Sequence, residues 1–199
     1  GPVCPDDGGP GWDCRLDSVT VLSGDYFSTG YIPRYAPKVT MRYKLGGMQY
    51  TDIFGTAVRQ DGCFILNNSN GTLWHRYGKG GAAQIPGSFL ADVPYDIVVD
   101  DSVVVNGKSI GKVDKGDFSK ADRPMEVPAY PGNADNYKTA TETIYSFTLA
   151  DNGVVYRNLI PCFKDGQACF FDTVTEEFVF KSCYTGYEAQ KVIPGKVVA

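Results

Sequence analysis

At 199 residues, with 43% hydrophobic residues and a net charge of −4, the chain suits one large all-β domain. The acidic balance argues against a phosphate-backbone partner, which needs a basic face, so nucleic acid is not an expected ligand. No run approaches the roughly 20 apolar residues of a membrane-spanning helix, and no membrane insertion is expected.

Residues 1–15 (GPVCPDDGGPGWDCR) combine Gly, Pro and Asp with two cysteines and predict an N-terminal arm rather than a core element. The opening Gly1-Pro2, without an initiating Met, has the form of a protease-cleavage scar. From Leu16 the period is two. In KVTMRYKL, Val39, Met41, Tyr43 and Leu45 share one face, and Thr40, Arg42 and Lys44 the other, which predicts a half-buried strand. In GTLWHRYGKG a strand would set Trp74 and Arg76 on one face and His75 and Tyr77 on the other.

Asn-Gly is the strongest short hairpin signal, because a type I′ turn needs positive φ at both central residues. It occurs at Asn70-Gly71, Asn106-Gly107 and Asn152-Gly153, and Asp61-Gly62 and Asp165-Gly166 add further turns. A short strand is expected near Met125–Pro128, followed by a long loop of the kind that carries binding residues on sandwich folds. TETIYSFTL alternates again, with Tyr145, Phe147 and Leu149 inward. No stretch combines a cap, a 3.6 period and ten residues free of Gly or Pro. The fold class is therefore all-β, a two-sheet antiparallel sandwich or barrel. The sandwich is expected over residues 16–185, with residues 186–199 as an exit tail or linker.

Six cysteines, none spaced Cys-x-x-Cys, favour disulfides and an extracellular or cell-surface location. One histidine makes a structural zinc site improbable on this count. Cys4 and Cys14 would staple the arm. Cys169 and Cys183 flank an expected hairpin and could also pair, and Cys162 above all could be a buried thiol.

Particular stretches carry a resemblance. YFSTGYIP (Tyr26 to Pro33) resembles the opening of bacterial laminin-G-like, concanavalin A-like jelly-roll modules. YRNLIPCFKDGQACFFDTVTEEFVF (Tyr156 to Phe180) resembles their ending, and PYDIVVDDSVVVNG and ETIYSFTLADNGVV their middle strands. The family's Gly-Leu-Tyr-Asp stands here as Cys169-Phe170-Phe171-Asp172, and the cysteine-bearing arm lies outside the common pattern. The resemblance, from about Asp25 to Cys183, implies a jelly roll in a secreted or surface bacterial protein. It also implies a binding or spacer unit beside other domains of the same polypeptide, with a glycan or a host or matrix surface as ligand.

Catalysis is not expected. Glycoside hydrolysis needs paired carboxylates about 5–5.5 Å or 6.5–9.5 Å apart, and no Glu-x-Asp-x-x-Glu run is present. Asp172, Glu176 and Glu177 bracket an expected turn and should face solvent. His75, the one histidine, lies in a strand with no Gly-x-Ser-x-Gly elbow and reads as structural. Calcium is a possible cofactor, for which Asp25, Asp135 and Asn136 are candidate oxygen ligands, with Asn67 to Asn70 a further candidate loop. For a sugar, Tyr130 and Tyr137 flank Asn133, Asp135 and Asn136 in a plausible contact loop of aromatic rings and side-chain oxygens. The leading expectation is a carbohydrate-binding or adhesion module. The alternatives are a spacer or protein-interaction module and, next, a divergent glycosidase or lyase.

Overall fold

The computed structural model describes residues 2–22, 24–47, 51–56, 63–69, 71–78, 82–118, 121–129, 141–184, 186, 188–189 and 191–198. Their regular structure is entirely β. The first strands are β1 (Cys14–Arg15), β2 (Val19–Val21), β3 (Asp25–Ser28), β4 (Pro37–Leu45), β5 (Thr51–Gly55) and β6 (Phe64–Ser69). The middle strands are β7 (Thr72–Tyr77), β8 (Ala82–Ile85), β9 (Pro94–Val99), β10 (Ser102–Val105), β11 (Lys108–Lys112) and β12 (Glu126–Val127). The chain closes with β13 (Glu142–Asp151), β14 (Val154–Lys164), β15 (Gln167–Asp172), β16 (Glu177–Val179), β17 (Ser182–Cys183) and β18 (Ile193–Pro194).

Two antiparallel sheets result, a sandwich as the alternation and turns predict. The first runs β11-β10-β9-β4-β13-β14-β15-β16, with β1 on β14, β2 on β13 and β18 on β2. The second runs β17-β3-β12-β5-β6-β7-β8. Between them lie the inward residues of both faces, and Phe27 of the second sheet meets Phe170 of the first edge-on at 4.8 Å. Fully burying one such ring contributes about 1.5–3 kcal/mol. Val39, Met41, Tyr43 and Leu45 point into this core as expected.

Three tight turns follow the sequence signal. Asn106, Asn152 and Asp165 have φ of 50°, 51° and 51°, and the glycines after them 80°, 80° and 76°, the double positive φ of a type I′ turn. Strand β13 departs from the expected pattern. Its pairing with β4 slips between Ile144 and Ser146, so Ile144 is buried while Tyr145 is only half-buried. A bulge inserts one residue and turns its side chain away from the alternation; Tyr145 instead lies under the Arg42 guanidinium at 5.7 Å.

Both chain ends dock on the first sheet. Cys4 and Cys14 form a disulfide, and Cys14 pairs with Phe163 and Arg15 with Cys162 along β14. The segment expected to exit after residue 185 returns instead, with Ile193 opposite Thr20 and Val197 bridged to Leu16. The remaining disulfide expectation needs correction. Cys169 lies opposite Cys162 on neighbouring strands of the first sheet, whereas Cys183 sits in β17 of the second. The hairpin that Cys169 and Cys183 flank ends at Val179, and the chain then crosses to the other sheet.

Candidate functional site

Outward residues of β6, β7 and β8 build one continuous face on the second sheet. Directly opposed residues of antiparallel strands share a face, with Cβ atoms about 4.5–5.5 Å apart. Register sets Asn67 and Gln84 on either side of Trp74, Ile65 beside Arg76 and Ser69 beside Thr72. The inward partners of this alternation are Leu73, His75 and Tyr77, all buried, so Trp74 and Arg76 have only the outer side left to them. Trp74 is 42% exposed. An indole of that size turned to solvent on a strand otherwise well packed is a mark of a contact surface.

Three side chains of this face keep their hydrogen-bonding capacity for a ligand. Trp74, Arg76 and Gln84 make no side-chain hydrogen bond or ion pair among the described residues. On the β5 side the face is walled by Ile65 and Ala129, packed so closely over Gly55 that a Cβ there would stand 3.1 Å from that of Ala129. Strand spacing makes the patch about 10 Å across and about 13 Å along β7. It presents an apolar ring, the Gln84 amide, two hydroxyls and one guanidinium.

A second aromatic cluster lies on β3, β12 and the residue after β17. Tyr26 stacks on Tyr184 with centroids 4.0 Å apart. The Tyr184 hydroxyl donates to Glu126 at 2.6 Å, and Arg123 pairs with Glu126 while lying 5.8 Å from the Tyr184 ring. Burial, with the Glu126 charge after it, pushes the Tyr184 hydroxyl well up. These groups satisfy one another, and the cluster serves to hold β17 against β3.

The residues that carry the sequence resemblance form a third network, and it is architectural. Thr29 Oγ1 donates to the Met125 carbonyl at 2.8 Å, and Arg157 Nε donates to the Thr29 carbonyl at 2.6 Å. Asp151 accepts from the Tyr31 hydroxyl and from the backbone N–H groups of Arg34, Tyr35 and Ala36, at 2.7 to 3.1 Å. Burial, with Asp151 next, pushes the Tyr31 hydroxyl up. Asp172 does not face solvent as its turn position suggests. It is fully buried and accepts from Asn158 N, Val174 N, Thr175 N and Thr175 Oγ1, closing the turn into β16. Glu176 and Glu177 are exposed, as expected.

Of the expected sugar contacts, Tyr130, Asn133, Asp135, Asn136 and Tyr137 all lie outside the described residues, as do the calcium candidates Asp135 and Asn136. Asp25 is in strand β3, its side chain buried and 3.5 Å from the Lys181 ammonium. Asn67, named at sequence level as a calcium-loop candidate, belongs instead to the exposed face beside Trp74. His75 points into the core, its Nδ1 2.8 Å from the Ile65 carbonyl and its Nε2 2.6 Å from the Asp100 carbonyl. It ties the second sheet to the first. The Trp74 face was missed because alternation alone does not say which side of a strand is outside.

No protein-family model and no curated protein matches the chain. Among solved structures it is similar to a candidate carbohydrate-binding protein from Bacteroides ovatus, at 9% identity and a TM-score of 0.59. That match covers 92% of this chain and 62% of the other, so the chain spans less than two thirds of that protein. It is also similar to a heptameric SAP-like pentraxin from Limulus polyphemus, at 14% identity and a TM-score of 0.51, over 67% of this chain and 76% of the other. At these identities the likeness concerns the backbone alone: the chain shares with them a two-sheet antiparallel jelly-roll sandwich fold.

Proposed function

We propose that the chain is a non-catalytic glycan-binding module of the laminin-G-like kind, working in an extracellular or cell-surface protein, with the Trp74 face as its sugar platform. The observation that carries this reading is the exposed indole, flanked by Asn67 and Gln84 and followed by Arg76, with the side chains of Trp74, Arg76 and Gln84 making no hydrogen bond or ion pair among the described residues. Sugar rings present one apolar C–H face and a rim of hydroxyls, and such a face meets both. A flat, open patch without carboxylates suits recognition better than glycoside cleavage, which requires two carboxylates converging on the scissile bond. Among the buried carboxylates, Glu126, Glu142, Asp151 and Asp172 are each held by tyrosines or backbone N–H groups, and Asp25 lies 3.5 Å from the Lys181 ammonium. The Cys4–Cys14 bridge supports an oxidising location, and the fold shared with the Bacteroides ovatus protein supports a glycan as ligand.

The test is a glycan-array screen of the domain, with calcium and again with chelator, against the Trp74→Ala variant. Truncating a central Trp of a binding surface costs at least about 2 kcal/mol, roughly thirtyfold in affinity. Unchanged binding by a folded Trp74→Ala variant removes this face from the reading. Silence of the parent protein on every sugar favours a protein-contact module. Exposed Tyr35 and Val154, where residues 31–36 meet the β13–β14 turn, give that second reading a surface.

A further inference from the structure

Cys162 and Cys169 stand directly opposite each other in the β14–β15 ladder, their Sγ atoms 3.6 Å apart and both residues fully buried. Opposed residues of an antiparallel pair have Cα atoms about 4.5 or 5.5 Å apart, and both spacings lie within the roughly 4.4–6.8 Å that a disulfide spans. The surroundings offer the sulfurs no other chemistry. Phe171 packs with them, Trp12 and Phe178 cover the group, and no set of His, Cys, Asp or Glu among the described residues could gather a metal ion. Trp12 meets Phe171 edge-on at 5.7 Å and belongs to the arm that the Cys4–Cys14 bridge closes. Strand β1 of that arm lies along β14, with Arg15 opposite Cys162. An oxidised cysteine pair thus sits one strand away from a second pair already in contact.

We infer that Cys162 and Cys169 close a second disulfide, tying β14 to β15 beneath the arm. Each thiol gives up one proton and one electron. The acceptor is the disulfide of a thiol–disulfide oxidoreductase or of a small oxidised thiol: one cysteine attacks it, the other displaces the mixed disulfide, and both acceptor sulfurs leave as thiols. The exchange belongs to folding, before Trp12 covers the pair. In the closed sheet the contact with Cys169, and burial after it, push the Cys162 thiol up and so suppress the thiolate that attacks.

Protein exported through an oxidising secretory compartment tests this. It is unfolded at mildly acidic pH with excess maleimide, then cut with trypsin without reduction. Cleavage after Arg157, Lys164 and Lys181 puts Cys162 in the peptide Asn158–Lys164 and Cys169 in Asp165–Lys181. The expected product is one species containing both peptides, two hydrogens lighter than their sum, which separates on reduction. Recovery of the two peptides as separate maleimide adducts, or of either joined to a different cysteine, overturns the bridge.

Discussion

Four donors converge on the Asp151 carboxylate, three of them backbone N–H groups of consecutive residues and the fourth the Tyr31 hydroxyl. One buried anion therefore fixes the path of residues 31–36 over the end of the sandwich. Hydrogen bonds to a charged acceptor are worth about 1.5–3 kcal/mol each, and removing the acceptor also leaves buried donors unpaired. Asp151→Ala should cost roughly 3 kcal/mol or more, a fall in Tm on the order of 10 °C for a chain of this size. Thermal melts of variant and parent decide it, and a fall within a few degrees would mean that water replaces the carboxylate. Little of this was legible in the sequence. Asp172 shows why: an acidic residue at a turn reads as solvated, yet the turn's own N–H groups need an acceptor, and the backbone folds over the carboxylate that supplies it.

Elements were easier to read than residues, because hairpins are local. Asn106-Gly107 and Asn152-Gly153 each state their turn and the register of the pairs next to it, though each ladder slips farther out, between Val103 and Val104 and between Leu149 and Ala150. The bulge at Tyr145 was not legible, since its cause is the non-local pairing with β4. Nor was the Trp74 face, which exists only once β6 and β8 flank β7. The N-terminal arm combines both kinds of information: its cysteines announce a staple, but its docking on β14 is non-local. A bridge closing a loop of this length restricts the unfolded chain by about 2–3 kcal/mol. Replacing Cys4 and Cys14 together by Ser should weaken the arm's hold and uncover Trp12. Its fluorescence should then become more accessible to iodide, with Trp74→Phe introduced in both proteins to isolate the Trp12 signal. Identical quenching before and after would show that β1 pairing alone holds the arm.

At the scale of the whole molecule, two buried ionisable groups, one bridging the layers and one inside the first sheet's core face, titrate in opposite senses. His75 reaches from β7 to the Asp100 carbonyl at the β9–β10 turn of the other sheet. Burial lowers its pKa, against the raising effect of both carbonyls and of the nearby Asp100 and Asp101 charges. The unfolded chain therefore takes up a proton at higher pH than the folded one. Stability from this group is present above the unfolded value of about 6.5 and is lost as pH falls towards the depressed folded value. Glu142 accepts from the Tyr43 hydroxyl at 2.7 Å inside the core, and burial raises its pKa well above the ordinary carboxylate value, with Asp52 adding to the rise. Its contribution is complete below the unfolded value of about 4.3 and is lost as pH rises through the folded one. Between those limits the two slopes oppose, each at most about 1.4 kcal/mol per pH unit. Separating them requires single variants followed by denaturant unfolding across pH 4.5 to 8. Glu142→Gln, which keeps the acceptor for Tyr43 without a charge, should gain stability towards pH 8 and leave the acid loss due to His75 in view. His75→Gln should lose stability overall but no longer decline through pH 6. Parallel curves for both variants and the parent would place the pH response of the sandwich elsewhere, in the exposed carboxylates rather than in these two buried groups.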